Sequence, residues 1–445
     1  MACRECAFRM VVMSTRPEIE EFLKALDETQ SLPPARMQAY QRRLLTRLLN
    51  HAHRETSFYA ERLNPVMRAD GSIDWDRWQE LPILTRSQAQ DNFTALCARS
   101  LPPAAGNATE DTSSGSTGRP LRHLTTNIQD LASACASERF FNWHNIDPMS
   151  LTVRIRAVSH PDATYPKGRR TVGWRAGHVS SEAIDLSIST PVDRQIEWLG
   201  RVRPRYLASY PSNLREIARE AARDGAALRF DAIMTFGEMT SDDMRDAVQD
   251  YFGLPPLDRY GSSEVGHISG TCPHSLRHHV GAELVLLEIV GADGRPATPG
   301  SIGRIIVTPF YNLAMPLIRY ELGDYGILSP DPCGCGRTLP VLESVLGRSR
   351  NIFRFVDGTS TWPVLLSREF QAFVPNRQFQ VVQLTHTDIE FRYVPVAGDQ
   401  LNDLSGLATY LKSKLHPTVS VTLAAVTTIP RSKGGKYEDC MSLVT

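Results

Sequence analysis

No apolar run in this 445-residue sequence reaches the ~20 residues that cross a bilayer as a helix. The first segment, MACRECAFRMVVMSTRPEIEEF, is apolar from Ala7 to Met13 but is interrupted by Arg9 and lacks a small-residue cleavage site. It does not read as a secretory signal. Net charge is missing as well. The 49 Lys plus Arg balance 49 Asp plus Glu, so nothing pulls the chain globally toward nucleic acid or an anionic membrane. Its Arg clusters also lack the interleaved aromatics of a single-strand binder. Eight cysteines without secretory features suit a reducing compartment better than a disulfide framework. These absences predict a soluble, cytoplasmic protein with neither nucleic-acid nor membrane partners. They leave the oligomeric state open, a dimer included.

What is present is an ordinary globular composition in a chain too long for one simple core. Residues 17–62 read as helical, with Ile19, Phe22, Leu23 and Leu26 on one face and leucines at helical spacing from Met37 to His53. Beyond a Pro- and Gly-rich stretch the pattern alternates. A helix near 127–144 is followed by TVRIRAV as a strand, RQIEWLGRV as a helix and YLASY as a strand. NLREIAREAARDG is then a helix ending on Gly225, and DAIMTFGE a further strand. Such alternation predicts α/β architecture. From 283 on, ELVLLEIVGADGRPATPGSIGRIIVTPF predicts an antiparallel pair. FQVVQLTHTDIEFRYVPV reads as a hairpin, followed by a helix at 403–414 and a strand at 418–427. The division predicted is 1–346 and 347–445, with the boundary at Gly347–Arg348.

One segment is strongly biased. DTSSGSTGRP, residues 111–120, lacks the Gly-Lys-Ser/Thr ending of a Walker loop. Its chemistry is related all the same. Gly115 and Gly118 let backbone N–H groups turn toward an anion, and Ser113, Ser114, Ser116 and Thr117 supply hydroxyls, with Arg119 close by. On the loop alone, a linker and a phosphate cradle are both open readings.

Further segments follow in order: YGSSE at 260–264, IRYELGDYG at 318–326, Gly347–Arg348 and PRSKGGK at 430–436. With the loop they resemble the core motifs of the adenylate-forming superfamily of acyl-CoA ligases, adenylation domains and luciferases. The match is best within its phenylacetate–CoA ligase branch. LNHAHRETSFYAERL, LPILTRSQAQDNF and GEMT at 237–240 extend the resemblance over nearly the whole chain. It implies a large N-terminal domain of sheets flanked by helices with a strand-rich subdomain, and a small mobile α+β C-terminal domain. It further implies ATP and Mg2+, with five scattered fragments meeting around one nucleotide. The 112–118 loop would hold the β- and γ-phosphates, and Glu264, a hard oxygen ligand, would bind Mg2+. Tyr260 would pack on adenine beside Gly261, Ser262 and Ser263. Asp324 would accept the ribose hydroxyls, and Arg348 would support ribose or phosphate. Lys436 would bridge the incoming carboxylate and the α-phosphate as charge builds. One departure stands out. Where the family places an acidic hinge residue after Gly-Arg, this chain has Arg350 and Asn351, which bears on domain rotation rather than adenylation.

TCPHSLRHH at 271–279 and CGCGR at 333–337 supply Cys272, His278, His279, Cys333 and Cys335. Cys272 follows Glu264 by eight residues and Cys333 follows Asp324 by nine. If those two motifs converge, the cysteines after them can converge too. Some members of the branch are similar here, with a structural zinc. The expected ligands are Cys272, His278, Cys333 and Cys335, with His279 as competitor to His278. Cys3 and Cys6 are read as incidental.

For the acyl group, Tyr210, Phe236 and Gly237 are the candidates, an aromatic slot suiting an aryl or arylacetic acid. Two acceptor readings stay open: CoA, giving a thioester, or an amine or carrier-protein thiol in a biosynthetic pathway. A third reading is a catalytically silent nucleotide binder.

Overall fold

Pro33–Pro34 divides the helical N-terminal stretch in two. Helices run Arg16–Thr29 and Pro34–Glu55, the second opening on a proline, whose missing N–H is one of the unpaired donors of a helix start in any case. Thr56 then turns extended and residues 57–62 form turns rather than helix. The computed structural model describes residues 16–113, 119–158, 160–348, 351–396 and 403–444. No helix among them is long and apolar enough to cross a membrane.

Contacts divide the chain into two units. The first comprises Met1–Ser150, Thr171–Ala183 and Leu257–Val345; the second comprises Leu151–Arg170, Ile184–Pro256 and Leu346–Thr445. In the first unit the strands lie in the order 285–290, 302–309, 320–328, 341–348, 278–280, 266–271 and 257–262. The expected pair is there, antiparallel, with Val285 opposite Pro309. A buried cluster including Leu48, Leu49, Leu84, Ile268, Val307 and Leu342 joins this sheet to the N-terminal helices. A separate hairpin pairs Ala108–Thr112 with Arg122–Thr126, and Thr126 caps the helix Asn127–Trp143 by accepting the Gln129 N–H.

The second unit carries the alternation predicted from sequence. Strands Thr152–Arg156, Tyr206–Ser209 and Ala232–Phe236 are parallel neighbours, and helices Val192–Val202, Pro211–Arg223 and Asp242–Phe252 connect or follow them. Gly225, at φ +66°, takes the left-handed turn just past the second of these helices. Residues 346–445 have a core of their own around Phe370, Phe379 and Phe391. Their four strands lie in the order 420–425, 388–395, 376–383 and 440–442, with the helix Leu404–Lys414 packed alongside. The expected hairpin pairs Asn376–Gln383 with Asp388–Pro395.

Within the first unit a buried ion pair anchors the capped helix. Arg139 donates to both carboxylate oxygens of Glu283, at 2.7 and 3.3 Å, and to the Leu26 carbonyl; the two side chains are 2% and 1% exposed. Replacing Glu283 by Ala leaves a guanidinium buried without its partner. The expected loss is about 3–5 kcal/mol, read as a lower urea midpoint at unchanged slope.

Candidate active site

In the first unit the 108–126 hairpin leads into and out of the serine-glycine segment. Its neck is closed by Ser113, whose N–H donates to the Leu121 carbonyl and whose Oγ accepts the Leu121 N–H at 3.1 Å. At the far end Arg119 pairs with Asp91 at 2.6 Å, an exposed contact. Ser114, Gly115, Ser116, Thr117 and Gly118 lie outside the described residues.

Arg86 reaches the same neck. Thr85 and Gln88 form a reciprocal capping box, the Thr85 hydroxyl accepting the Gln88 N–H while the Gln88 side chain accepts the Thr85 N–H. Leu84 meanwhile pairs its backbone with Arg319 and Glu321. This fixes Arg86 at the first position of a short helix. One guanidinium nitrogen donates to Ser113 Oγ at 2.6 Å, and another lies 3.3 Å from Glu264 Oε1 and 3.4 Å from the Tyr320 hydroxyl. Tyr320 itself donates to Glu264 Oε1 at 3.3 Å, and Ser263 Oγ to Oε2 at 3.2 Å. Burial pushes the Glu264 carboxyl up, but interactions with His123 and Arg86, together with hydrogen bonds from its own backbone N–H and from Ser262, hold it below its ordinary value.

The two strands carrying YGSSE and ELGDYG are also tied by the Tyr260 hydroxyl, which donates to Asp324 Oδ2 at 2.8 Å. Gly261 must be glycine, since a Cβ there would overlap the Gly266 carbonyl oxygen across the turn. Ser262 Oγ accepts the Val265 N–H and so shapes that turn. Gly323 precedes Asp324 at φ +84°, with open space where a Cβ would stand. Sequence reasoning quoted the segments containing Arg86 and Tyr320 but gave neither residue a role. The T-x-x-Q capping pattern was the signal available for Arg86.

In the second unit the three acyl-site candidates and the Lys436 loop come together. Tyr210 is 1% exposed, and its ring lies 5.1 Å from that of Phe236. Its hydroxyl donates to the Gly434 carbonyl at 2.7 Å and accepts the Ala157 N–H at 3.3 Å. Gly237, at φ +80°, lies so close that a Cβ would stand 3.1 Å from the Tyr210 ring and 4.0 Å from Lys436 Cε. The lysine loop is a tight turn, Ser432 N–H to the Lys436 carbonyl at 2.8 Å and Lys436 N–H to Ser432 Oγ at 3.1 Å. The Arg348 N–H donates to Asn351 Oδ1 at 3.0 Å. Arg350 lies outside the described residues.

A third cluster, in the first unit, corrects one expected ligand. Cys272, His279, Cys333 and Cys335 bring their ligand atoms within 4.8 Å of one another; His278 is not among them. Neighbouring residues of a strand face opposite ways. His278 turns its ring to Ser269 Oγ at 3.1 Å and Asp258 at 3.4 Å, whereas His279 Nε2 lies 3.2 Å from Cys335 Sγ. Cys272 and Cys333 are 3.7 Å apart, sulfur to sulfur. Tetrahedral zinc, with Zn–S near 2.3 Å, gives sulfur edges of about 3.8 Å, so the donor set fits that ion.

Removing the Arg86 charge tests the Glu264 reading. A carboxyl depressed in the folded state contributes stability above its unfolded value and loses it as pH falls through the folded value. Between about pH 3 and 6 the wild type is therefore expected to lose more unfolding free energy with acidification than Arg86→Met. Urea titrations at stepped pH read the difference.

No protein-family model matches the chain. It is similar to the phenylacetate-coenzyme A ligase of Thermus thermophilus, 24% identical over 94% of this chain and 98% of that protein. It is also similar to the phenylacetate-coenzyme A ligase of Escherichia coli, 26% identical over 82% of this chain and 83% of that one. Among solved structures, 2-hydroxyisobutyryl-CoA ligase in the postadenylation state with R3-HIB-AMP matches with a TM-score of 0.73 at 17% identity, over 94% of this chain and 91% of that one. The fold is that of 2-hydroxyisobutyryl-CoA ligase.

Proposed function

We propose that this chain, a relative of the phenylacetate–CoA ligases with the adenylate-forming fold, is an AMP-forming carboxylic acid–CoA ligase. The observation that carries this reading is the seat of Lys436, whose glycine loop packs on Tyr210 and Gly237, the segment read from sequence as acyl-binding. In the first half-reaction a carboxylate oxygen of the acid attacks the α-phosphorus of ATP. The bond to the bridging oxygen breaks and pyrophosphate leaves. Lys436 offsets the negative charge that grows on the α-phosphate and the attacking oxygen. In the second, the sulfur of CoA attacks the acyl carbon, AMP leaves and the thiol proton is released.

The remaining residues keep the roles the motifs suggest. Ser113 and the loop to Gly118 hold the outer phosphates, Asp324 and Arg348 the ribose, and Tyr260 with Gly261–Ser263 the adenine side. Mg2+ supplies charge neutralisation of the phosphates when bound. An ionised, buried Glu264 has the donor chemistry for it, since Mg2+ takes one or two carboxylates with phosphate and water. Residues 347–445 act as the mobile domain that presents Lys436, and 1–346 as the nucleotide- and acyl-binding domain. An aromatic acid is the proposed substrate class, and the cytoplasm the proposed compartment. The Cys272, His279, Cys333 and Cys335 set holds a structural zinc.

ATP–pyrophosphate exchange with a panel of aromatic acids tests the activity. Exchange followed by CoA consumption is expected. Exchange without CoA consumption would move the acceptor to an amine or a carrier-protein thiol, and ATP binding with no exchange would favour a silent nucleotide binder. Lys436→Ala is expected to slow adenylate formation by about 10²–10³-fold while thioester formation from supplied acyl-AMP stays near wild type. For the metal, elemental analysis is expected to find one zinc per chain, lost together with thermal stability in Cys333→Ser. Zinc-free protein with an unchanged midpoint would refute that assignment.

A further inference from the structure

Glu238 belongs to the GEMT segment and has no role in the scheme above. Its side chain is 3% exposed, so every contact of its carboxylate matters. Oε2 accepts the Ser212 N–H at 3.1 Å, in the first turn of the helix Pro211–Arg223, where the unpaired N–H groups and the helix dipole favour an anion. Oε1 accepts the Tyr437 N–H at 2.6 Å. Tyr437 directly follows Lys436, and its own hydroxyl is engaged with the Phe379 carbonyl. One buried carboxylate thus joins a fixed helix start to the backbone bearing the lysine.

Arg431 closes the arrangement from the other side of the loop. Its guanidinium donates to Ser212 Oγ at 2.7 Å, to Glu216 at 3.1 Å and to the Gly435 carbonyl at 3.3 Å, with Glu238 Oε1 at 3.5 Å. The peptide groups on both sides of Lys436 are therefore held, the Gly435 carbonyl by Arg431 and the Tyr437 N–H by Glu238. Two adjoining glycines give this loop more backbone freedom than any other pair of residues would. Turn bonds to Ser432 shape it from within, and its placement has to be fixed from outside.

We propose that Glu238, with Arg431, is a positioning residue: it fixes the backbone of Lys436 for adenylate formation and touches no substrate itself. The inference rests on the adenylating reading above, so its test has one arm that needs no activity. Glu238→Gln keeps the size of the side chain, but its NH2 group meets an N–H where a carboxylate oxygen stood. Hydrogen exchange at the Tyr437 amide is expected to be at least about tenfold faster in this variant, with the thermal midpoint retained. Adenylate formation is expected to fall about 10²-fold, the cost of a small misplacement of a reacting group, with the KM values for ATP and acid nearly unchanged. In a Lys436→Ala background the same change is expected to cost less than about threefold, because Glu238 acts through the lysine. Unchanged exchange at Tyr437, or an equal loss in both backgrounds, would overturn the proposal. Should the wild type adenylate no acid, the exchange arm still decides whether the clamp exists, while the adenylating reading falls separately. If Glu238→Gln does not fold, Arg431→Met is read in the same three ways.

Discussion

A tyrosine hydroxyl shared between two backbone groups holds the candidate catalytic loop in shape. Tyr210 takes the Ala157 N–H and gives its proton to the Gly434 carbonyl, and its ring cannot move away because it is buried against Phe236. The close fit works only with glycine on both sides. A Cβ at 237 or at 435 would stand 3.1 or 2.9 Å from Tyr210 atoms. Ordering glycine is entropically expensive, so the loop's shape has to come from hydrogen bonds to rigid neighbours. Lys436 has a defined position only as far as those neighbours are fixed.

The first unit shows how local sequence sets a charge state at a distance. A four-residue capping box orients Arg86, and Arg86 faces Glu264 and Ser113 together. With its side chain 5% exposed, Glu264 would by burial alone tend to hold its proton. Arg86, His123 and the hydrogen bonds to the carboxylate together reverse that. The charge state of this buried carboxylate thus depends on a Thr and a Gln that do not touch it.

Much of this was legible in the sequence because it follows from periodicity and spacing. The parallel strands and amphipathic helices of 151–256, the 285–309 hairpin and the C-terminal α+β segment follow the patterns read for them. What was not legible depends on register and on polar partners. ATEDT has no hydrophobic alternation and no apolar residue larger than Ala108, yet Ala108–Thr112 is a strand, because its partner Arg122–Thr126 supplies the backbone bonds and the buried face. Choosing between His278 and His279 requires the pleat parity of a three-residue strand, set by its pairing with 266–271 and 341–348. Arg86 and Glu238 have side-chain roles defined by residues far along the chain, and no periodicity marks such a pair.

Both groups of residues solve the same physical problem in the same way. In each a buried carboxylate faces an arginine that also reaches a neighbouring loop residue, Glu264 with Arg86 and Glu238 with Arg431. Such pairs are poor sources of stability, because desolvating two charges costs about as much as their attraction returns. A well-packed apolar pair would hold the fold equally well. What it could not do is present directed acceptors to N–H groups and a directed donor to a carbonyl. A carboxylate with both oxygens committed, as in Glu238, tolerates little displacement of either segment before a buried donor is left unpaired, and that penalty is larger than the mean value of a hydrogen bond. Steepness of this kind, rather than depth, is what keeps a lysine on a glycine loop in one place.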